Sequence, residues 1–229
     1  MVNKIIKGKV ILIEGTDCSG KETQSNKLIE YLSNMGIDVV KFSFPNYDSP
    51  TGKIVGGPYL GKSYISDGWF PEGAPHVDPK VSALYYGADF LYHLPKMKEI
   101  LDSGKWIILD RYFYSSFAHQ GGKIEEYKER LEMYKWFEKL FLEQLGLIDP
   151  DIKLFLHMPY ECSCILKQGR AEAADQNEAD PTHLINAERA FKEVADMYGF
   201  ETIECGDSKH IKTIDEVTAA VVKILKKHI

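Results

Sequence analysis

Within the first 35 residues the hydrophobic pattern changes once, abruptly, and that change restricts the fold more than any other feature. Lys9-Val-Ile-Leu-Ile-Glu14 is a short β-branched run without polar alternation, as expected of a strand covered on both faces. A turn of small residues follows, Gly15-Thr-Asp-Cys-Ser-Gly20-Lys21-Glu22-Thr23. Then Leu28, Ile29, Leu32 and Met35 recur on one helical face, and Gly36 is a natural stop. A two-face-buried strand feeding a helix through a glycine turn is the opening unit of a parallel sheet.

The alternation continues. Ile37 to Phe44, Trp106 to Asp110 and Ile152 to Met158 read as further strands, with Glu201 to Cys205 a weaker fifth. Helical patterns lie between them at about 79–103, 124–145, 160–169, 183–198 and 214–228. Pro95 is expected to break the first of these in two. The last opens with a capping box, Thr213-Ile-Asp-Glu216, and carries Val217, Val221, Ile224 and Leu225 along one stripe. The expected fold is α/β, a mainly parallel five-stranded sheet with helices on both faces. Two stretches lack an apolar period, Gly61 to Asp78 and Gly169 to Pro181. The second is a candidate mobile flap.

Length and composition restrict the class. A chain of 229 residues, 44% apolar, supports one core, so a single domain over 1–229 is expected. The formal net charge of −6, with no Lys/Arg block, argues against a dedicated nucleic-acid binder. No apolar run approaches the ~18–20 residues that cross a bilayer, and Lys7-Gly8-Lys9 interrupts the amino terminus before signal-peptide length. Four cysteines do not suggest a disulfide framework. A soluble, cytoplasmic protein is the expectation.

The glycine turn carries the chemistry. Backbone N–H groups of such a loop, with the amino terminus of the following helix, form a concave array of donors for a polyphosphate. Gly20 permits close approach, and the Lys21 ammonium can reach outer phosphates. The remaining alternative is a plain glycine turn into a surface helix. The Walker A pattern places Ser or Thr after the lysine to bind Mg²⁺; here Glu22 stands there and the hydroxyl comes one residue late, at Thr23. A carboxylate is also a hard oxygen ligand, so a working but altered metal site is expected.

Asp110-Arg111-Tyr112 ends a buried strand with an acid beside a base. An Asp at that place commonly holds Mg²⁺ or its water, and a guanidinium fork suits a phosphate. Alone, the pair reads equally well as a structural ion pair at a sheet edge.

Taken together, these segments resemble the thymidylate kinase family of P-loop nucleoside monophosphate kinases over nearly the whole chain. Glu14 to Gln24 looks like that family's phosphate loop, and Phe44-Pro45 followed by Gly52-Lys53 like its second-strand loop. Asp110-Arg-Tyr with Ser115-Ser-Phe-Ala-His-Gln-Gly121 looks like its DRY segment and the helix after it. Pro150-Asp151 and Asp175-Gln-Asn-Glu178-Ala-Asp180 fall in the expected places.

The resemblance implies a three-layer P-loop NTPase fold with a lid at about 165–182, and transfer of the γ-phosphoryl group of ATP to dTMP. The loop Gly15, Thr16, Asp17, Cys18, Ser19, Gly20, Lys21, Glu22 and Thr23 would bind ATP, with Lys21 on its outer phosphates. Arg111 would hold the acceptor phosphate, and Asp17 would lie near the acceptor's sugar hydroxyl. Asp110 with Glu22 would support Mg²⁺. Tyr86 would stack on the base, with Phe44, Pro45, Ser115 and Gln120 lining the same pocket. Since the loop has no arginine, Arg170 in the lid would supply one. A homodimer is also implied.

Four residues depart from the family pattern: Glu22; Tyr47, where many members carry an arginine that reaches the acceptor phosphate; Phe90, where an arginine commonly reads the pyrimidine edge; and Gln176, in place of a lid arginine. Asp89 is a candidate to take over part of the base reading. These departures leave two alternatives open, a kinase for another nucleoside monophosphate such as dUMP, or a nucleotide binder without phosphoryl transfer. Elsewhere, His119 and His157 read as pocket or core residues, Cys162-x-Cys164 as two free thiols, and Tyr134, Trp136, Phe137 and Phe141 as core or subunit contact.

Overall fold

The computed structural model of the protein describes residues 7–167, 175–207 and 209–229. Five strands form one parallel sheet: β1 (Val10–Gly15), β2 (Val39–Ser43), β3 (Trp106–Asp110), β4 (Ile152–His157) and β5 (Glu201–Glu204), in the order β2-β3-β1-β4-β5. The helices are α1 (Lys21–Asn34), α2 (Pro50–Ile54), α3 (Pro79–Asp102), α4 (Phe113–Gly121), α5 (Tyr127–Glu138), α6 (Tyr160–Lys167), α7 (Pro181–Met197) and α8 (Ile214–Leu225). The α/β sandwich expected from the alternating periods is the fold observed.

Strand pleating explains why β1 tolerates no polar alternation. Successive side chains point to opposite faces, so Val10 and Leu12 join one core with Ile107, Leu109, Met97, Phe113 and Phe137. Ile11 and Ile13 join the other, with Ile108, Leu154, Leu28 and Leu32 of α1, and Val217 and Val221 of α8. The capping box at Thr213 forms as read, with its hydroxyl accepting from Glu216 N and the Glu216 carboxylate accepting from Thr213 N.

Two local expectations differ from the structure. Pro95 does not break α3, which runs on through it. The Leu91 carbonyl that loses its donor lies on an exposed turn, where water can replace the missing bond. The pattern at 124–145 resolves into α5 and a π-helical turn at Lys139–Gln144. Between β2 and α3, α2 opens on Ser49, whose hydroxyl accepts from Gly52 N, and runs into a second π turn at Val55–Tyr59; neither was legible as a period. Of the anticipated flap, 168–174 lies outside the described residues, whereas 175–180 is a turn anchored on the 60–74 segment through Gln176 N to Leu60 O and Ala74 N to Gln176 Oε1.

Because the strands are parallel, the ends of β1, β3 and β4 come together at one edge of the sheet. The order reverses around β1, and in open parallel sheets ligands settle in the crevice beyond such a reversal.

Candidate active site

Beyond the carboxyl end of β1 the chain turns sharply. Cys18 and Gly20 both take left-handed backbone conformations, with φ of 57° and 82°. Gly20 caps α1 without any side-chain hydrogen bond, so the first amides of α1 face outward as unsatisfied donors. The Lys21 ammonium donates to the Thr16 carbonyl at 2.8 Å. Burial, then the charge of Arg111, pulls that ammonium down to about 8.

Arg111 follows β3, so the Asp110-Arg111 pair lies in the middle of the sheet rather than at an edge. It is held at φ 64°, a conformation that costs roughly 1–2 kcal/mol outside glycine. Glu14 maintains that turn: its carboxylate accepts from Tyr112 N (2.9 Å), Ser115 N (3.0 Å) and Ser115 Oγ (2.6 Å). Burial raises Glu14 to about 7 despite those bonds. The Arg111 guanidinium is directed back toward the loop, 3.5 Å from Asp17.

Asp17 sits between Arg111 and the Lys167 ammonium, the latter at 2.8 Å. Burial would raise its carboxyl, but the charges of Arg111, Lys21 and Lys167 prevail and hold it well below the usual range. Asp17 is thus the counter-ion of the site. Lys167, at the end of α6, was missed by sequence reasoning; its position directly before the flap was the available signal.

One cleft of about 640 Å³ brings these groups together. Cys18, Gly20, Lys21, Glu22 and Thr23 line one side. Phe44, Pro45, Tyr47, Tyr86 and Phe90 line the other, with Asp17, Asp110 and Arg111 contributing to the same lining. Ser115 and Gln120 of α4 line it as well. The Gln120 carboxamide is buried beside the Tyr59 hydroxyl, which has Ala74 O and Ser82 Oγ as partners, and neither amide atom has a partner of hydrogen-bond geometry. A buried amide left open in a cleft is an unused donor and acceptor.

The remaining residues divide between the cleft and its surroundings. Asp89 is fully buried and does not line the cleft; it accepts from Asn46 N (2.9 Å), Ser49 Oγ (2.9 Å) and Thr51 Oγ1 (2.8 Å). Its lone pairs anchor the loop after β2 and are not available to a base. Thr16 exchanges hydrogen bonds with the backbone of Met158, which ties the loop to β4. Gly15 ends β1 and Ser19 is buried, so neither these two nor Thr16 line the cleft. Phe90 is part of the aromatic core, packed edge-on against Phe44 and Tyr112. Tyr47 lines the cleft as a neutral phenol, its proton held by burial. Arg170 lies outside the described residues.

Glu22 and Asp110 are the oxygen donors expected for a divalent cation. Both line the cleft, and Asp110 Oδ2 is 3.7 Å from the Lys41 ammonium. No group of three or more metal-ligating side chains exists among the described residues. That donor set fits Mg²⁺, which binds through one or two carboxylates and takes its other ligands from water and substrate phosphates.

Comparison with known proteins agrees with the geometry. The family model described as thymidylate kinase matches residues 13–215. The thymidylate kinase of Prochlorococcus marinus (strain NATL2A) is 30% identical over 224 residues, 96% of this chain and 99% of that protein. That of Plasmodium falciparum (isolate 3D7) is 31% identical over 153 residues, 67% of this chain but only 63% of the relative's length. Among solved structures, a thymidylate kinase from Candida albicans, described as revealing the origin of broad substrate specificity, superposes with a TM-score of 0.74 at 25% identity, covering 97% of this chain and 92% of that one.

Proposed function

The chain belongs to the thymidylate kinase family, and on that premise we propose that it transfers the γ-phosphoryl group of ATP to dTMP, giving dTDP and ADP. One observation carries the reading: a single cleft joins an amide-rich phosphate loop to an aromatic pocket, with Arg111 in the same lining. Such a cleft accommodates two nucleotides with their phosphates facing.

The acceptor phosphate is already an anion and needs no general base; the obstacle is repulsion between two anions. Lys21 and the free amides of α1 hold the donor's phosphates. Arg111 leaves Asp17 for the acceptor phosphate, and together the two cations follow the charge of the transition state. Asp110 and Glu22 would hold Mg²⁺, which would supply charge neutralisation to the phosphates. Tyr86 would stack on the base with Phe44 lining the same pocket, and the carboxamide of Gln120 would match the adjoining donor and acceptor on a pyrimidine edge. Asp17, once its cations are drawn to phosphate, is placed for the sugar hydroxyl. Arg170 is the proposed lid arginine.

Phe90 favours a second reading on the acceptor alone. Where a guanidinium would fix the base, this chain has a core phenyl ring, which leaves Gln120 as the polar reader. Discrimination rests on paired polar groups, so acceptors such as dUMP compete better than at an arginine-lined site. Release of ADP measured across dTMP, dUMP, dCMP and AMP tests both. Preferred turnover of dTMP supports the first reading; equal or better turnover of another monophosphate replaces it, and ADP without a diphosphate product rejects transfer altogether.

A homodimer in the cytoplasm completes the proposal. Val81, Leu84, Leu91 and Tyr92 are exposed on one side of α3, an apolar stripe of the kind that pairs with a second copy. The four cysteines are free, and no helix among the described residues is long and apolar enough to cross a membrane.

A further inference from the structure

We propose that Gln176 is a positioning residue for the acceptor nucleoside, its carboxamide holding in place the segment that backs the Tyr86 ring; this deepens the reading above and rests on it. The turn at 175–180 has two faces. Asp175, Asn177 and Glu178 line the cleft, whereas Gln176 does not. Its side chain is directed away, into the stretch between Leu60 and Ala74.

A socket walled by glycines receives it there. A methyl group on Gly68 would stand 2.7 Å from Gln176 Nε2, and one on Gly61 2.8 Å from the same atom. Both distances are too short for a carbon, so the carboxamide fits because those two residues have no side chain. Ala74 N donates to Gln176 Oε1 at 2.8 Å, and Gln176 N donates to Leu60 O at 3.3 Å. Arginine could not accept from Ala74 N, since a guanidinium has no acceptor. Glutamine in place of a lid arginine is therefore a change of role, a tie between two segments where the family pattern has a cation.

The tie leads to the base pocket. The Ala74 carbonyl accepts from the Tyr59 hydroxyl (3.2 Å) and from the Lys123 ammonium (2.8 Å). Tyr59 is fully buried and packs edge-on against Tyr86, 5.7 Å between ring centroids. Leu60, the next residue, lines the cleft itself. Residues 61–73 contain neither strand nor helix, so isolated ties rather than a hydrogen-bond ladder fix where the segment lies. Without the carboxamide, Ala74 N loses its partner and the backing of Tyr86 is in place for a smaller fraction of the time. Nucleoside affinity falls by that fraction.

Calorimetry and steady-state kinetics test this. Titrations of dTMP, thymidine and ATP are compared for wild type, Gln176→Leu, Gln176→Arg, Gly68→Ala and the Gln176→Leu/Gly68→Ala double variant. The expected result is a loss of about fivefold or more for dTMP and thymidine alike in every variant. KM for dTMP should rise with it, while ATP affinity and kcat at saturating dTMP stay within about twofold of wild type. Gly68→Ala expels the carboxamide by contact and carries the test should Gln176→Leu not fold. The double variant should be no worse than the poorer single one, because both remove the same tie. Loss of dTMP affinity alone would make Gln176 a phosphate contact, and loss of ATP affinity as well would make it a general structural residue. Either result, no change, tighter dTMP binding by Gln176→Arg, or multiplied effects in the double variant overturns this inference and leaves the kinase reading standing. A wild type that binds neither dTMP nor thymidine defeats both.

Discussion

Arg111 combines a left-handed backbone, a half-buried guanidinium and an ion pair with a phosphate-loop carboxylate. Strain of this kind persists where surrounding structure over-determines it, and Glu14 supplies that determination through its three acceptor bonds. Arg111→Ala should therefore reduce kcat/KM for dTMP by at least ~100-fold, with ATP affinity nearly unchanged, as read by steady-state kinetics and nucleotide titration. Glu22 is the opposite case. It is exposed on the first turn of α1, and Glu22→Ser should preserve or raise activity while shifting the Mg²⁺ optimum; an inactive variant would make Glu22 a required ligand. That Lys21 and Arg111 line one cleft was legible because both lie in short motifs. Asp89 was not, since its use depends on a loop forty residues away folding over it.

Helices α4 and α7 pack across the stacked rings of His119 and His183, 5.4 Å apart at 11°. Both rings are kept neutral. Burial, then the charge of Lys123, lowers His183 to about 4, and burial with its partner lowers His119 well below its ordinary value. Between pH 6.5 and 4 the unfolded chain binds protons that the folded His183 refuses, so its contribution is lost as pH falls, roughly 3 kcal/mol in all. Glu14, raised by burial to about 7, acts in the opposite sense between 4.5 and 7, so the readout is a difference between proteins. His183→Gln should lower Tm at pH 7 yet lose less Tm than wild type between pH 6.5 and 4.5; an offset independent of pH would contradict this. At this scale periodicity located the helices well. It failed at Pro95 and at the π turns, where solvent and tertiary packing, not local pattern, decide the backbone.

At the scale of the molecule, the order of strands is what brings the loop after β1 beside the end of β3, and the sequence pattern implied a parallel sheet without fixing that order. The apolar stripe on α3 makes a further claim. Sedimentation should show a particle of twice 26.1 kDa, and Leu84→Glu should shift it toward the monomer while leaving the fold intact by circular dichroism; a monomeric wild type would assign the stripe elsewhere. Catalysis itself depends on both anions being held across one cleft. A crystal structure with adenosine and thymidine joined by five phosphates tests that most directly. The account predicts Lys21 on phosphates at the adenosine end and the Arg111 guanidinium, released from Asp17, on the phosphate next to thymidine. Thymidine bound outside the aromatic pocket, with Arg111 still paired to Asp17, would contradict it.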